Sequence, residues 1–346
     1  MAAKSNRDRV TLAQVAERAG VSPGAVSQVL NAHPRARISA DARERIGRAV
    51  EELGYRPNMV ARSLRMSRSA TFGFISDSVT VTRYATGILR GALRSAEEVD
   101  HLLLIAETGG DPERERRAVE SLLDRGVDGI VFAAMKSRHP AAYALPRGLP
   151  HVNVNLAHSD GAISVLPDEF NAGRSSVDAL VDAGHADGIA LIGHELSPGD
   201  DPALAITARR RLEGIAFEMD QRGMRFAGEF PCEDWEPGYG RDAARQALGA
   251  AGITAMLCLN DRIAFGAYQA ISDHGLTVAR DISIVSFDDD EIASILHPAL
   301  TTIAIPHERM GATAVEVLTA STQPAEDALI PMTMKVRDSI GPPRTR

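Results

Sequence analysis

From Thr71 to Phe287 the chain repeats one pattern: a short apolar run, then an amphipathic stretch or polar loop. The runs are Thr71–Ile75, His101–Ala106, Gly129–Ala133, Val152–Asn155, Gly188–Ile192, Ala255–Leu259 and Ile282–Phe287. Each is too short for a helix that could bury it, and each is bounded by turn-forming residues, so each reads as a buried strand. Strands that alternate with helices build parallel sheets covered on both faces. Two doubly wound α/β lobes are the simplest arrangement of seven such runs.

In sheets of this kind ligands sit beyond the carboxyl ends of the strands. That rule selects few residues. Asp77 follows the first run, Asn260 and Asp261 follow 255–259, Asp288 follows 282–287, and Asp168 lies near a lobe crossover in Val165-Leu-Pro-Asp168. Each offers hydrogen bonds to a ligand hydroxyl, and each taken alone also reads as a helix cap, Asp261 and Asp288 above all.

The N-terminal region has a different composition. Residues 1–68 hold thirteen Lys and Arg against six Asp and Glu, a net +7 that leaves −15 for the rest of a chain whose total is −8. A basic footprint confined to one end is what a nucleic-acid-binding domain carries. Leu12, Val15, Ala16 and Ala19 share one helical face, Gly20 supplies a stop, and Ser22 and Pro23 open a second helix with Ala25, Val26, Val29 and Leu30 turned inward. A third helix is predicted from Ser39, burying Ile46, Ala49, Val50 and Leu53 and stopping at Gly54. Helix, Ala-Gly-Val turn, helix is a helix-turn-helix pattern. Periodicity alone leaves a plain three-helix bundle with a solvated basic face equally open.

The wording of the segment adds to this. Val10-Thr-Leu-Ala-Gln-Val-Ala-Glu-Arg-Ala-Gly-Val-Ser22, Val26-Ser-Gln-Val-Leu-Asn31, Glu52-Leu-Gly-Tyr-Arg-Pro-Asn58 and Val60-Ala-Arg-Ser-Leu64 closely resemble the headpiece and hinge of the lactose/galactose-repressor family. Thr207-Ala-Arg-Arg-Arg-Leu-Glu-Gly214, Cys258-Leu-Asn-Asp-Arg-Ile-Ala-Phe-Gly-Ala-Tyr268, Ile282-Ser-Ile-Val-Ser-Phe-Asp288 and Leu300-Thr-Thr-Ile303 resemble that family's core. The resemblance implies a small all-α helix-turn-helix headpiece plus an α/β two-lobed, periplasmic-binding-protein-like core of doubly wound parallel sheets. It implies boundaries of 1–57 for the headpiece, 58–68 for a hinge helix and linker, and 69–340 for the core, with 341–346 as a tail. Within the core one lobe is expected at about 69–166 and 298–328, and the other at about 167–297 and 329–340.

Carried over residue by residue, the resemblance places Thr11, Leu12, Ser22, Pro23, Gly24, Ser27, Gln28, Asn31, Asn58, Ala61 and Leu64 at the DNA. Hydroxyls and amides on Thr11, Ser22, Ser27 and Asn31 suit phosphate oxygens, which set register without reading sequence. Pro23, Gly24 and Gln28 occupy the family's base-reading positions, and Leu64 matches a leucine wedged into the minor groove, which bends the duplex. The chain departs from the family where Ala25 replaces a frequent Thr and Gln28 a frequent Arg. Gln28 can pair bidentately with adenine, whereas Pro23 and Gly24 offer almost nothing, so direct readout by this helix is thin. Ala32-His-Pro-Arg-Ala-Arg37 is about two residues longer than usual, and Arg35 and Arg37 there read either as phosphate contacts or as a solvated loop.

In the core the resemblance assigns Asp77, Asp168, Arg211, Trp235, Asn260 and Asp288 to an effector pocket, with Trp235 equally readable as a core residue. An Arg fork, acidic acceptors, an amide and a flat ring suit a polyhydroxylated molecule, so a sugar or sugar derivative is the favoured effector. The implied protein is a cytoplasmic homodimeric regulator, in the repressor mould, that binds a pseudo-palindromic double-stranded operator.

Other classes are disfavoured. Cys232 and Cys258 form neither a C-x-x-C pair nor a metal-ligand spacing with His, so no disulfide framework, metal or cofactor is expected. Pro237-Gly-Tyr-Gly-Arg-Asp-Ala243 lacks the preceding strand of a dinucleotide fingerprint, and Asp288-Asp-Asp-Glu291 reads as an acidic helix start. A sugar-binding receptor would carry an export signal, and the polar start at Met1 has none; an α/β enzyme on a sugar or nucleotide would need a catalytic constellation, and none stands out. No stretch approaches the ~18 apolar residues of a membrane span.

Overall fold

The computed structural model describes residues 10–30, 38–55, 69–78, 83–139, 141, 143–157, 162–196, 205–322 and 325–344. Asn31, Arg35, Arg37, Asn58, Ala61 and Leu64, and with them the hinge segment, lie outside the described residues. The chain divides into two units, Met1–Ser69 and Ala70–Arg346.

The first unit is built from α1 (Leu12–Ala19), α2 (Pro23–Leu30) and α3 (Ala40–Leu53). Thr11 and Gln14 form a reciprocal capping box on α1, in which the Gln14 amide N–H donates to Thr11 Oγ1 at 3.4 Å and Gln14 Oε1 accepts from the Thr11 amide at 2.8 Å. Gly20 ends the helix at φ 67°, a left-handed conformation that costs glycine nothing. Ser22 Oγ accepts from the Ala25 amide at 3.2 Å at the start of α2, and Ser39 caps α3. Val15, Ala16, Ala19, Val26, Ile46, Ala49 and Tyr55 close a small core. Ala25, Val29, Leu30, Val50 and Leu53, expected inside, are half-buried.

The second unit holds two six-stranded sheets. The first has β1 (Thr71–Ser76), β2 (Leu102–Glu107), β3 (Gly129–Arg138), β4 (His151–Leu156), β5 (Ile163–Pro167) and β11 (Ala328–Ile330), in the order β11-β5-β4-β3-β1-β2, all parallel. Its helices are α4 (Arg83–Glu98), α5 (Pro112–Asp124) and α11 (His307–Thr319). Side chains alternate along β3: Val131 and Ala133 pack toward α4 and α11 with Phe72, Phe74 and Val152, while Ile130, Phe132 and Ala134 pack toward α5 with Ile75 and Leu122. A strand covered on both faces reads as an unbroken apolar run, which is why its sequence shows no alternation.

The second sheet has β6 (Ile189–Gly193), β7 (Gly228–Pro231), β8 (Ala255–Cys258), β9 (Ser283–Asp288), β10 (Thr301–Ala304) and β12 (Thr333–Lys335), ordered β12-β10-β9-β8-β6-β7. Only β12 runs antiparallel, against β10. Around it lie α6 (Glu169–Asp182), α7 (Ile206–Gln221), α8 (Pro237–Gly249), α9 (Asp261–Asp273) and the short α10 (Glu291–Ile295).

The lobe boundaries differ from those expected. Thr301–Ala304 pairs with Val285–Asp288 of β9, so the chain returns to the first lobe after Ala304 rather than at 298. Ala328–Ile330 pairs with Val165–Pro167, so the final crossing follows Ile330. Strands of three and four residues carry too little pattern to name the sheet they join. Gly341 also belongs to the second lobe and not to a tail, because its carbonyl oxygen lies 2.9 Å from both His185 Nε2 and Ser283 Oγ.

Helices α6 and α7 touch almost backbone to backbone. A Cβ on Gly173 would stand 2.2 Å from the Arg211 carbonyl oxygen, and one on Gly214 would stand 2.0 Å from that of Phe170. This contact brings the side chains of α7 against the start of α6.

Candidate functional site

A cavity of about 390 Å³ opens where strands of both sheets end, within the range usual for small-ligand sites. The second lobe contributes Arg211 from α7, Asp288 from the end of β9, Glu169 at the start of α6, and Cys232 to Trp235 after β7. The first lobe contributes Ile88, Ala134, Met135, Ser137 and Asn155, with His307 and Met310 of α11.

Arg211 organises the floor. Its side chain is 3% exposed, and burying a guanidinium requires that its charge and N–H groups be matched. Nε and Nη2 donate to the two Glu169 oxygens at 2.7 and 2.8 Å, Nη1 donates to the Leu259 carbonyl, and the guanidinium lies over the Phe287 ring, 4.1 Å from its centroid. Asp288 stands 3.8 Å from Nη2, beyond hydrogen-bonding distance. Burial holds its carboxyl well above the usual carboxylate range, and the attraction of Arg211 offsets this only in part. Asp288 and Asp289 both have positive φ, 109° and 56°, a strained conformation for residues with a Cβ that is found where a site dictates backbone direction.

Of the residues named from sequence, Arg211, Trp235 and Asp288 meet at this cavity. Asp77, Asp168 and Asn260 do not line it. Asp77 accepts from the Met135 amide at 3.1 Å, tying β1 to β3. Asp168 caps α6, accepting from the Asn171 amide at 3.3 Å. Asn260 caps α9 through the Ile263 amide at 2.8 Å, and its Nδ2 donates to the Trp235 carbonyl at 3.2 Å, so it reaches the cavity only by holding Trp235. Asp261 is fully buried and accepts from Ser286 Oγ and, at 2.7 Å, from the Asp290 amide; burial pushes its carboxyl up to about 6. The cap of α10 is Asp290, not Asp288. Trp235 is half-buried, packed against the second-lobe core and also lining the cavity.

Sequence reasoning passed over Glu169, Ser137, Glu233 and Asp234. Glu169 follows Asp168, and the acidic pair precedes Trp235, so proximity to residues already singled out was the available signal. In the headpiece Pro23, Gly24 and Gln28 are exposed on the first turns of α2, Ser27 and Leu12 are half-buried, and the exposed Thr11 and Ser22 stand at helix N-termini. Amides at such ends suit phosphate oxygens.

Residues 11–58 match the model for bacterial regulatory proteins of the lacI family, and 177–340 match the periplasmic binding protein-like domain. The ribose operon repressor of Escherichia coli (strain K12) is 32% identical over 314 residues, covering 89% of this chain and 92% of that protein. The transcriptional repressor PurR of Pasteurella multocida (strain Pm70) is 30% identical over 314 residues, covering 89% and 90%. A crystal structure of the lac repressor dimer bound to operator and the anti-inducer ONPF superimposes with a TM-score of 0.74 at 29% identity, covering 96% of this chain and 99% of that one. A helix-turn-helix headpiece joined in sequence to a two-lobed ligand-binding core defines a DNA-binding transcriptional regulator. The chain belongs to the lacI family of bacterial regulatory proteins. The relatives named are regulators rather than enzymes, and no helix among the described residues is long and apolar enough to cross a membrane.

Proposed function

We propose that this protein is a cytoplasmic, homodimeric repressor whose affinity for a pseudo-palindromic operator is set by a small polar effector, a sugar or sugar derivative, held between the core lobes. The observation that carries this reading is the meeting of Arg211, Asp288 and Trp235 at one cavity, in a chain whose headpiece exposes Pro23, Gly24 and Gln28 on a helix start. The effector acts by its differential affinity for two arrangements of the core, worth about 1–3 kcal/mol in typical coupled systems. Arg211 and Asp288 supply polar contacts and Trp235 a flat apolar surface. On the headpiece Thr11, Ser22 and Ser27 hold phosphate while Gln28 reads a base edge.

A dimer has physical support of its own. β2 is an edge strand that leaves Leu102 71% exposed, with Leu104 and Ile105 also open, and the neighbouring Leu93 and Val99 add to the patch. An open apolar edge on a parallel sheet is normally covered. The test selects bound fragments from the source genome, then measures fluorescence anisotropy on the recovered site at fixed salt with a panel of pentoses, hexoses and their derivatives. One shared two-fold-related site and a change of roughly 5- to 150-fold in affinity with one compound is the expected result. Binding no tighter than to random DNA overturns the reading.

A further inference from the structure

Among the described residues the cavity lining holds more carboxylates than cations, and the charge of its arginine is already matched; His194 and His307 also line it. Glu169, Glu233, Asp234 and Asp288 line it against Arg211, whose three nitrogens go to Glu169 and the Leu259 carbonyl. One N–H on each Nη is left over, but the charge of the guanidinium is already matched by Glu169. Among the described residues the Asp288 carboxyl accepts no hydrogen bond and has only the Arg211 charge at 3.8 Å, while Glu233 and Asp234 are exposed members of the lining. Trp235 follows Glu233 and Asp234 directly and offers an indole ring, the aromatic surface that attracts cations most strongly. The first-lobe wall is unlike this one. Ile88, Ala134, Met135 and Met310 make most of it apolar, beside the polar Asn155 and His307, and set among them Ser137, 5% exposed, has a hydroxyl without a partner among the described residues. A buried hydroxyl left unpaired is an open place for a ligand hydrogen bond.

Taking the cavity as the effector site proposed above, we infer that its effector is a cation: an amino-polyol or amino sugar whose ammonium group sits among Asp288, Glu233, Asp234 and the Trp235 ring, with a hydroxyl toward Ser137. The ammonium supplies the hydrogen-bonding cation that Asp288 lacks, since Arg211 stands 3.8 Å away. A phosphorylated sugar would meet Glu233, Asp234 and Asp288 across an arginine whose charge Glu169 already matches, and is disfavoured. A neutral sugar binds through its hydroxyls alone, more weakly.

Trp235 is the only tryptophan in the chain, so its emission reports on this cavity. The first measurement compares quenching of the full-length protein by caesium and by iodide, each normalised to acrylamide and to a free indole reference. Caesium is expected to be favoured, and Asp288→Asn, which preserves side-chain shape, to reduce that advantage. Iodide quenching equal to or above caesium overturns the inference whether or not any ligand is found. The second measurement titrates the same emission with D-glucosamine, D-glucose and D-glucose 6-phosphate. The amine is expected to saturate the signal at no more than a tenth of the concentration the neutral sugar needs, with no response to the phosphate. Saturation first by the phosphate, or equally by amine and neutral sugar, overturns the cationic assignment while leaving the cavity as the effector site. Should none of the three saturate, the quencher comparison decides.

Discussion

Gly173→Ala tests whether the approach of α6 to α7 holds the site together. The new Cβ would lie 2.2 Å from the Arg211 carbonyl oxygen and 2.9 Å from the Ile215 amide nitrogen, both backbone atoms that cannot rotate away. Reaching an ordinary 3.4 Å contact requires the helices to separate by about 1.2 Å, an overpacking strain that falls at the upper end of the usual 1–3 kcal/mol. For a unit of this size about 3 kcal/mol corresponds to a fall of roughly 6–12 °C in melting midpoint. Because the displaced residue is Arg211 itself, its fork on Glu169 is pulled as well, and Trp235 emission should shift in the folded protein before melting begins. Calorimetry of the full chain beside Gly249→Ala, which meets nothing within 4 Å, separates packing from the general effect of an added methyl. A Gly173→Ala midpoint within about 1 °C of the parent would refute the argument.

Other outcomes follow from the same geometry. Gly47→Ala, on an open stretch of α3 with nothing within 4 Å, should stabilise the headpiece by about 1 kcal/mol, read from its denaturation midpoint; an unchanged or lower midpoint would contradict the open-face placement. Burial lowers His307 to about 4, so the unfolded chain binds the extra proton and the core loses stability as pH falls from about 6.5 toward 4. Burial raises Asp261 to about 6, which acts in the opposite sense, the folded chain taking up the proton as pH falls through about 6. His307→Gln therefore removes the loss and leaves the gain, and its urea midpoint should hold or rise from pH 6 to 4.5 where the parent's falls less favourably; parallel profiles would show that His307 titrates normally. Gln28→Ala should weaken binding at particular operator bases, whereas Thr11→Val should weaken binding to all sequences alike; anisotropy on a set of single-base operator variants distinguishes them, and the reverse pattern would exchange the two roles.

The strands were legible because burial on both faces writes itself as a plain apolar run, as in Gly129–Ala133, and the headpiece helices because Gly20 and Gly54 mark their ends. The site was legible only in part. The rule that ligands gather beyond strand ends finds Asp288, but helices also begin there, and Asn260 and Asp168 turn out to satisfy helix amides instead. Local sequence looks the same in both cases. Glu169 escaped because its meaning depends on Arg211, 42 residues away, and no spacing on one element encodes that fork. The sheet joined by Thr301–Ala304 was misjudged for a related reason, since strand pairing between distant segments is settled by register with Val285–Asp288 and not by anything within four residues.

The outermost strand on one side of each sheet, β11 and β12, comes from the span Ala328–Lys335. A ribosome adding roughly 5–20 residues per second finishes the three headpiece helices well before it reaches that span. β5 then presents an unpaired edge for roughly ten to thirty seconds and β10 for only a few, and both lobes are sealed almost together when these few residues emerge. A frameshift or proteolytic cut just upstream would thus damage two folding units at once while sparing the headpiece, releasing a fragment that keeps its reading helix and has lost the means to be controlled.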